Sequence, residues 1–211
     1  MIKTTPMIFN SEMVRALLAG NKTQTRRIIK HQPFVSDVFP SLVFPKNKKE
    51  LEEGAGLFYP NAKSSVLAMC PFGQADDLIY VRETFAYQTG DDNEPLNPQV
   101  YLYAETDSWD GIRVPSIHMP RRVSRLTLKI TSVRVERIQD ISEEDAKKEG
   151  VSFLRDVPDC DETLTEKQLF GFLWDSVYPK SWSKNQWVWV VDFEVIHKNI
   201  DQVLAEMEQA A

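Results

Sequence analysis

The sequence predicts an α+β domain: a small mixed or antiparallel β-sheet closed into a barrel, with helices at its edges. Three observations predict it. Apolar residues alternate with period two in several short runs. The capped helical segments do not alternate with the strands as full crossover helices, which argues against a doubly wound parallel sheet. The 211 residues are 42% hydrophobic and 27% charged, enough for one real core. The domain is expected over residues 1–198 with a loop-rich insertion at 31–66. Residues 199–211 read as a C-terminal helix or tail.

Met7-Ile8-Phe9 reads as a short strand. Asn10 or Ser11 then caps a helix with Met13, Val14, Leu17 and Leu18 at helical spacing. Gly20 sits where a helix end favours a left-handed residue. A strand starts near Thr23 and runs through Ile28-Ile29. In 31–66, Pro33, Pro40, Pro45 and Pro60 interrupt regular structure. Phe34, Phe39, Phe44, Phe58 and Tyr59 are too many aromatics for a free linker, so this segment is expected to pack on the body as a lid, with a hairpin near Gly54 and Gly56.

Leu78 to Phe85 is the clearest early strand. Alternation puts Ile79, Val81, Glu83 and Phe85 on one face, so a carboxylate stands among apolar neighbours. Residues 88–99 read as a loop, Val100 to Ala104 as a strand, Trp109-Asp110-Gly111 as a turn and Pro115 to Arg122 as a proline-bounded loop. Arg125–Ile130 and Val133–Ile138 read as two strands joined by a bulge or bend at Thr131-Ser132. Ser142 caps a short helix that Gly150 ends. Thr165 and Gln168 form a capping box on a stronger helix, whose apolar set is Leu169, Phe170, Phe172, Leu173, Trp174 and Val177. Gln186 to Val195 is apolar enough for a central strand. The last helix places Ile200, Val203, Leu204 and Met207 on one face, as a dimer contact or a frayed tail.

The net charge of −6 and pI near 5.2 exclude non-specific duplex binding by the whole surface. Two cysteines, Cys70 and Cys160, give no disulfide framework and no metal-ligand spacing. No apolar run reaches the length of a membrane span, and the first residues lack the character of a signal peptide, so a cytoplasmic location is expected. Charge is nevertheless uneven. Between Glu12 and Asp37 there is no acidic residue, while Arg15, Lys22, Arg26, Arg27 and Lys30 are basic. From Arg113 to Arg137 seven basic residues face one acid, Glu136. Such islands suit a phosphate or another anion; the plain alternative is a solvated basic turn.

The stretch Gly20-x-Lys22-x-x-Thr25-x-Arg27 after an amphipathic helix resembles the signature of the ASCH domain, which shares its barrel with PUA RNA-binding domains. The ordered set of later segments is also similar: the Gly73–Asp76 turn, the strand carrying Glu83, Ser116–Arg122, Asp140–Gly150 and the terminal Trp187–Glu194 strand. Together they resemble ASCH proteins of bacteriophages and prophages over most of residues 7–196, with 31–66 and 88–112 as departures. Thr25 stands where many members have glutamate.

The resemblance implies a cleft for a nucleic acid or nucleotide beside the helix exit. One bacterial branch, similar at Lys22-x-x-Thr25, removes the acetyl group from N4-acetylcytidine with lysine, threonine and a strand glutamate. Carried over, these are Lys22, Thr25 and Glu83. Other members are metal-dependent ribonucleases, but this chain shows no compact carboxylate or histidine cluster and no cofactor is expected.

Amide hydrolysis needs a nucleophile, a base and an oxyanion partner. Lys22 would have to be neutral to deprotonate Thr25, and burial and the Arg26 and Arg27 charges push that way. Glu83 would pair with Lys22 or shuttle the proton. In the bland alternative Lys22 and Glu83 only satisfy each other, and Thr25 is an ordinary strand residue. Arg26, Arg27, Arg82, His118, Arg121 and Arg122 are the candidate phosphate or nucleic-acid contacts, and Trp109 and Trp182 the candidates to stack on a base. The expected partner is RNA or a modified nucleoside. A non-catalytic RNA-binding module and an accessory protein bound to a host protein are the alternatives, and a homodimer through the last helix stays open.

Overall fold

The computed structural model describes residues 2–36, 41–59, 63–89, 95–102, 112–158 and 161–210, with backbone alone for 87–89, 95–102 and 112. The architecture is α+β. One mixed five-stranded sheet is built from β1 (Thr4–Ile8), β2 (Gln24–Ile28), β6 (Leu78–Arg82), β10 (Thr127–Arg137) and β11 (Trp187–Ile196), in the order β1-β6-β10-β11-β2. Only β1 and β6 are parallel; the other pairs are antiparallel. The expected closed barrel is not a hydrogen-bonded feature of the described residues, because β1 and β2 are the sheet's two edges. What spans them is a side chain: Arg27 Nη2 donates to the Ile8 carbonyl at 2.9 Å.

Local chemistry explains most of the elements. Helix α1 (Ser11–Leu18) starts where Asn10 Oδ1 accepts from the Met13 amide, and Met13, Val14, Ala16 and Leu17 are buried. It ends at Gly20, whose φ of +73° is the left-handed conformation expected there. The predicted bulge between the two strands at 125–138 is real: they form one strand, β10, with a register shift between Ile130 and Ser132 against β11. Helices α4 (Glu143–Lys148) and α5 (Glu166–Val177) carry the Ser142 cap and the Thr165/Gln168 capping box.

Sequence expectation and structure part in five places. Strand β6 ends at Arg82, and Phe85 opens β7 (Phe85–Thr89) in a separate three-stranded sheet with β8 (Pro95–Leu102) and β9 (Ile112–Val114). Part of the expected loop at 88–99 is therefore strand, with Pro95 and Pro98 on β8, an edge strand that tolerates their missing donors. The insertion holds its own sheet, β3 (Phe34–Val35), β4 (Leu42–Phe44) and β5 (Leu57–Tyr59), with α2 (Lys48–Glu52) between β4 and β5 and α3 (Lys63–Leu67) after them. It is a support: Phe44 is buried and packs edge-on against Trp187 with centroids 6.5 Å apart. Phe172, expected in the apolar face of α5, is exposed. Helix α6 (Ile200–Gln209) lays Ile200 and Val203 on Leu78 of β6, so it is a docked element and not a loose tail. Cys70 is buried; Cys160, Phe39, Pro40, Pro60, Tyr103, Ala104 and the Trp109–Gly111 turn lie outside the described residues. Among the described residues no helix is long and apolar enough to cross a membrane.

Candidate functional site

A cavity of about 460 Å³ lies between the two edge strands of the sheet, a size that accommodates a small organic ligand. Pro6 to Phe9 of β1 and its exit form one lip, and Thr25, Arg26 and Arg27 of β2 the other. Phe170, Leu173, Trp174 and Val177 of α5, with Tyr178 just after it, form an aromatic and aliphatic wall, and Lys22 and Glu149 contribute a charged floor.

Lys22 reaches the floor because the chain after α1 is zipped to the end of α4. Lys22 and Glu149 form an isolated antiparallel bridge, and the Thr23 amide donates to the Lys148 carbonyl at 2.9 Å. Gly150 allows this approach. Its φ is +79°, and a Cβ there would meet Ala16 Cβ at 2.9 Å and Lys22 Cβ at 3.0 Å. The Lys22 amine, 1% exposed as a residue, donates to Glu149 Oε2 at 2.7 Å and to the Glu149 carbonyl at 2.8 Å. Burial pulls the amine below its ordinary 10.5; Glu149 opposes this, and Arg27 and Arg26 add to the lowering.

Sequence reasoning paired Lys22 with Glu83, and the structure does not bring them together. Glu83 is buried elsewhere: Arg125 Nε and Nη2 donate to its two carboxylate oxygens at 3.0 and 3.1 Å, and its amide meets Met119 Sδ. It does not line the cavity. The acid that faces the amine is Glu149, 127 positions from Lys22. The expectation of a carboxylate buried among apolar neighbours at 83 holds; its assigned partner does not.

Thr25 is buried and lines the cavity, and its hydroxyl has no hydrogen-bond partner among the described residues. Arg27 also lines it, stacked 5.1 Å from the Phe9 ring centre, and among the described residues its guanidinium makes one hydrogen bond, to the Ile8 carbonyl. Arg26, expected as a phosphate contact, is engaged inside the protein. Its guanidinium is wholly buried and ion-paired with Glu136 at 3.0 Å, Asp145 at 3.2 Å and Glu149 at 3.2 Å. Behind it Arg134 holds Glu136, Asp145 and Asp192, and Gln24 joins Asp145 to Asp192. These acids are thus occupied by cations, and two members of the basic island read from residues 12–37, Lys22 and Arg26, are paired with acids more than a hundred positions away.

The other candidates lie off the cavity. Arg82 Nη2 donates to the Ile117 carbonyl, and Arg121 pairs with Asp201 at 2.7 Å. His118 and Arg122 are exposed. Trp182, expected to stack on a base, instead packs edge-on against Phe170 with centroids 6.0 Å apart. The aromatic groups that do line the cavity are Phe170, Trp174 and Tyr178. The first two belong to the apolar set expected of α5, whose periodicity marks a buried face without distinguishing core from cavity wall. Comparison with known protein families, with characterised proteins and with solved structures gave no match.

Proposed function

We propose that this chain is an ASCH-type, PUA-like protein that binds a modified cytidine in the cavity and hydrolyses its N4-acyl amide. The observation that carries the reading is that Lys22, Thr25 and an acid, Glu149, line one cavity with an aromatic wall. The sheet is then a barrel with an unladdered seam, and the seam is the ligand's entrance. Phe170, Trp174 and Tyr178 offer a planar base an apolar surface.

The chemistry follows from the groups. The neutral Lys22 amine accepts the Thr25 proton as the hydroxyl oxygen bonds to the acyl carbon. The spare Arg27 donors stabilise the oxyanion. The C–N bond breaks and the lysine proton passes to the departing N4. Water then cleaves the threonyl ester, releasing the acid and restoring the hydroxyl. Glu149 holds the transient ammonium, the role that sequence reasoning gave to Glu83.

The test is acetate release from N4-acetylcytidine. Wild type turns over, and K22A and T25A each lose about 10²-fold or more, the usual weight of a positioned base or nucleophile. Absence of turnover where a known amidohydrolase works under the same conditions rejects hydrolysis. A second reading, an RNA-binding module without chemistry, is favoured by exposed His118 and Arg122 on the loop that Arg82 holds one strand from the cavity lip. It predicts salt-sensitive RNA binding that weakens in R122A and is indifferent to T25A.

A further inference from the structure

We propose that Arg26 is a positioning residue that governs the proton affinity of the Lys22 amine through a carboxylate the two share, Glu149. The inference rests on the reading of Lys22 as the proton acceptor, and deepens it.

Glu149 divides its oxygens between two cations. Oε2 accepts from Lys22 at 2.7 Å, and Oε1 accepts from Arg26 Nη1 at 3.2 Å. A guanidinium stays charged at any working pH, whereas an amine can give up its proton. A carboxylate that serves a permanent cation on one side holds the proton on the other side less firmly than an undivided one. Arg26 also presents its own positive charge to the amine. Both effects favour the neutral form that a base requires.

Ion pairs fix the Arg26 guanidinium in this place. Its guanidinium is fully buried. Nη2 is held by Glu136 and Asp145, and Nη1 also donates to Gln24 Oε1. Arg134 holds the same two acids from the far side at 2.5 and 2.7 Å. The Phe170 ring centre lies 5.8 Å from the guanidinium carbon. An ion pair kept only for stability needs neither a third acid nor a shared one; a pair that reaches on to a cavity-lining amine has a use for both.

The charged groups facing Lys22 are Glu149 from the turn after α4, and Arg26 and Arg27 from β2. Tyr178, after α5, is the other titratable group on the cavity wall. Glu136, Asp145 and Arg134 lie behind Arg26 and pair with it or with each other. Removing Arg26 or removing the Glu149 charge therefore moves the amine in opposite directions, which general damage to the fold would not do.

The experiment is an NMR titration of the Lys22 13Cε resonance in the ligand-free protein, assigned by its absence in K22R. R26Q is expected to raise the midpoint by about one pH unit, a tenfold gain in proton affinity, the scale of losing one nearby charge and returning Glu149 to the amine. E149Q is expected to lower it. R26K keeps the buried charge and loses the fork that reaches Glu149; it gives a smaller upward shift and keeps the test decisive if R26Q does not fold. An unmoved midpoint in R26Q or R26K, or shifts of the same sign in the arginine and E149Q variants, overturns the proposal. The titration reads the amine without substrate. Opposed shifts in a chain that releases no acetate support Arg26's control of the amine and reject hydrolysis alone.

Discussion

Two buried acids of this protein have opposite surroundings. Glu83 is gripped by both prongs of Arg125, a fork-to-fork pair away from the cavity. Glu149 has one oxygen on Arg26 and the other on Lys22, at a cavity floor. A bidentate pair directs both carboxylate oxygens to one cation, and its natural use is to satisfy a charge that the fold has buried. A carboxylate divided between a permanent cation and a titratable amine leaves that amine chemically adjustable. Burial alone therefore does not tell the two acids apart; the geometry of their partners does.

The difference can be broken at three points. The largest effect is expected from E83A, which removes the bidentate acid from the buried Arg125 pair: a loss of about 3 kcal/mol of stability by urea unfolding, with the Lys22 titration midpoint unchanged. A shifted midpoint would show that the two acids are not separate. Next is G150A. A positive φ and a Cβ within 3.0 Å of Ala16 and Lys22 predict a cost of about 1–3 kcal/mol and a looser Lys22–Glu149 bridge. Wild-type stability and an unaltered Lys22 resonance would count against the packing described for the floor.

The smallest effect concerns pH. Asp145 is penalised by burial, but the Gln24 hydrogen bond and the charges of Arg134 and Arg26 outweigh that and hold its carboxyl below its ordinary 3.8. With the folded value depressed, the unfolded chain binds the proton first. The stabilisation is present above 3.8 and is lost as pH falls through the lower folded value. D145N should flatten that part of the acid unfolding curve; an identical slope in D145N removes Asp145 from the network's account.

Much of the fold was legible because its signals are local. The Asn10, Ser142 and Thr165 caps, the left-handed glycines at 20 and 150 and the bulge near Thr131 each depend on a few neighbouring residues. Lys22 and Thr25 were legible for the same reason, as a spacing at a helix exit. Their acid was not. Glu149 sits at the end of an ordinary acidic helix, and nothing in its neighbourhood announces an amine 127 positions away. Glu83 drew the assignment because an acid within an apolar alternation is conspicuous, and the same conspicuousness suits an internal ion pair. The wall on α5 was read as core because Phe170, Leu173, Trp174 and Val177 follow the spacing of any buried helix face. The open seam went unread because strand patterns reveal which segments pair and not whether the last finds the first.

One guanidinium, where a row of amide bonds would have closed the sheet, joins the lips of the chamber. That link depends on the length and charge of the side chain at position 27, so a one-codon change there removes it while leaving the backbone ladders intact. Relatives built this way can diverge in what they admit long before they diverge in shape.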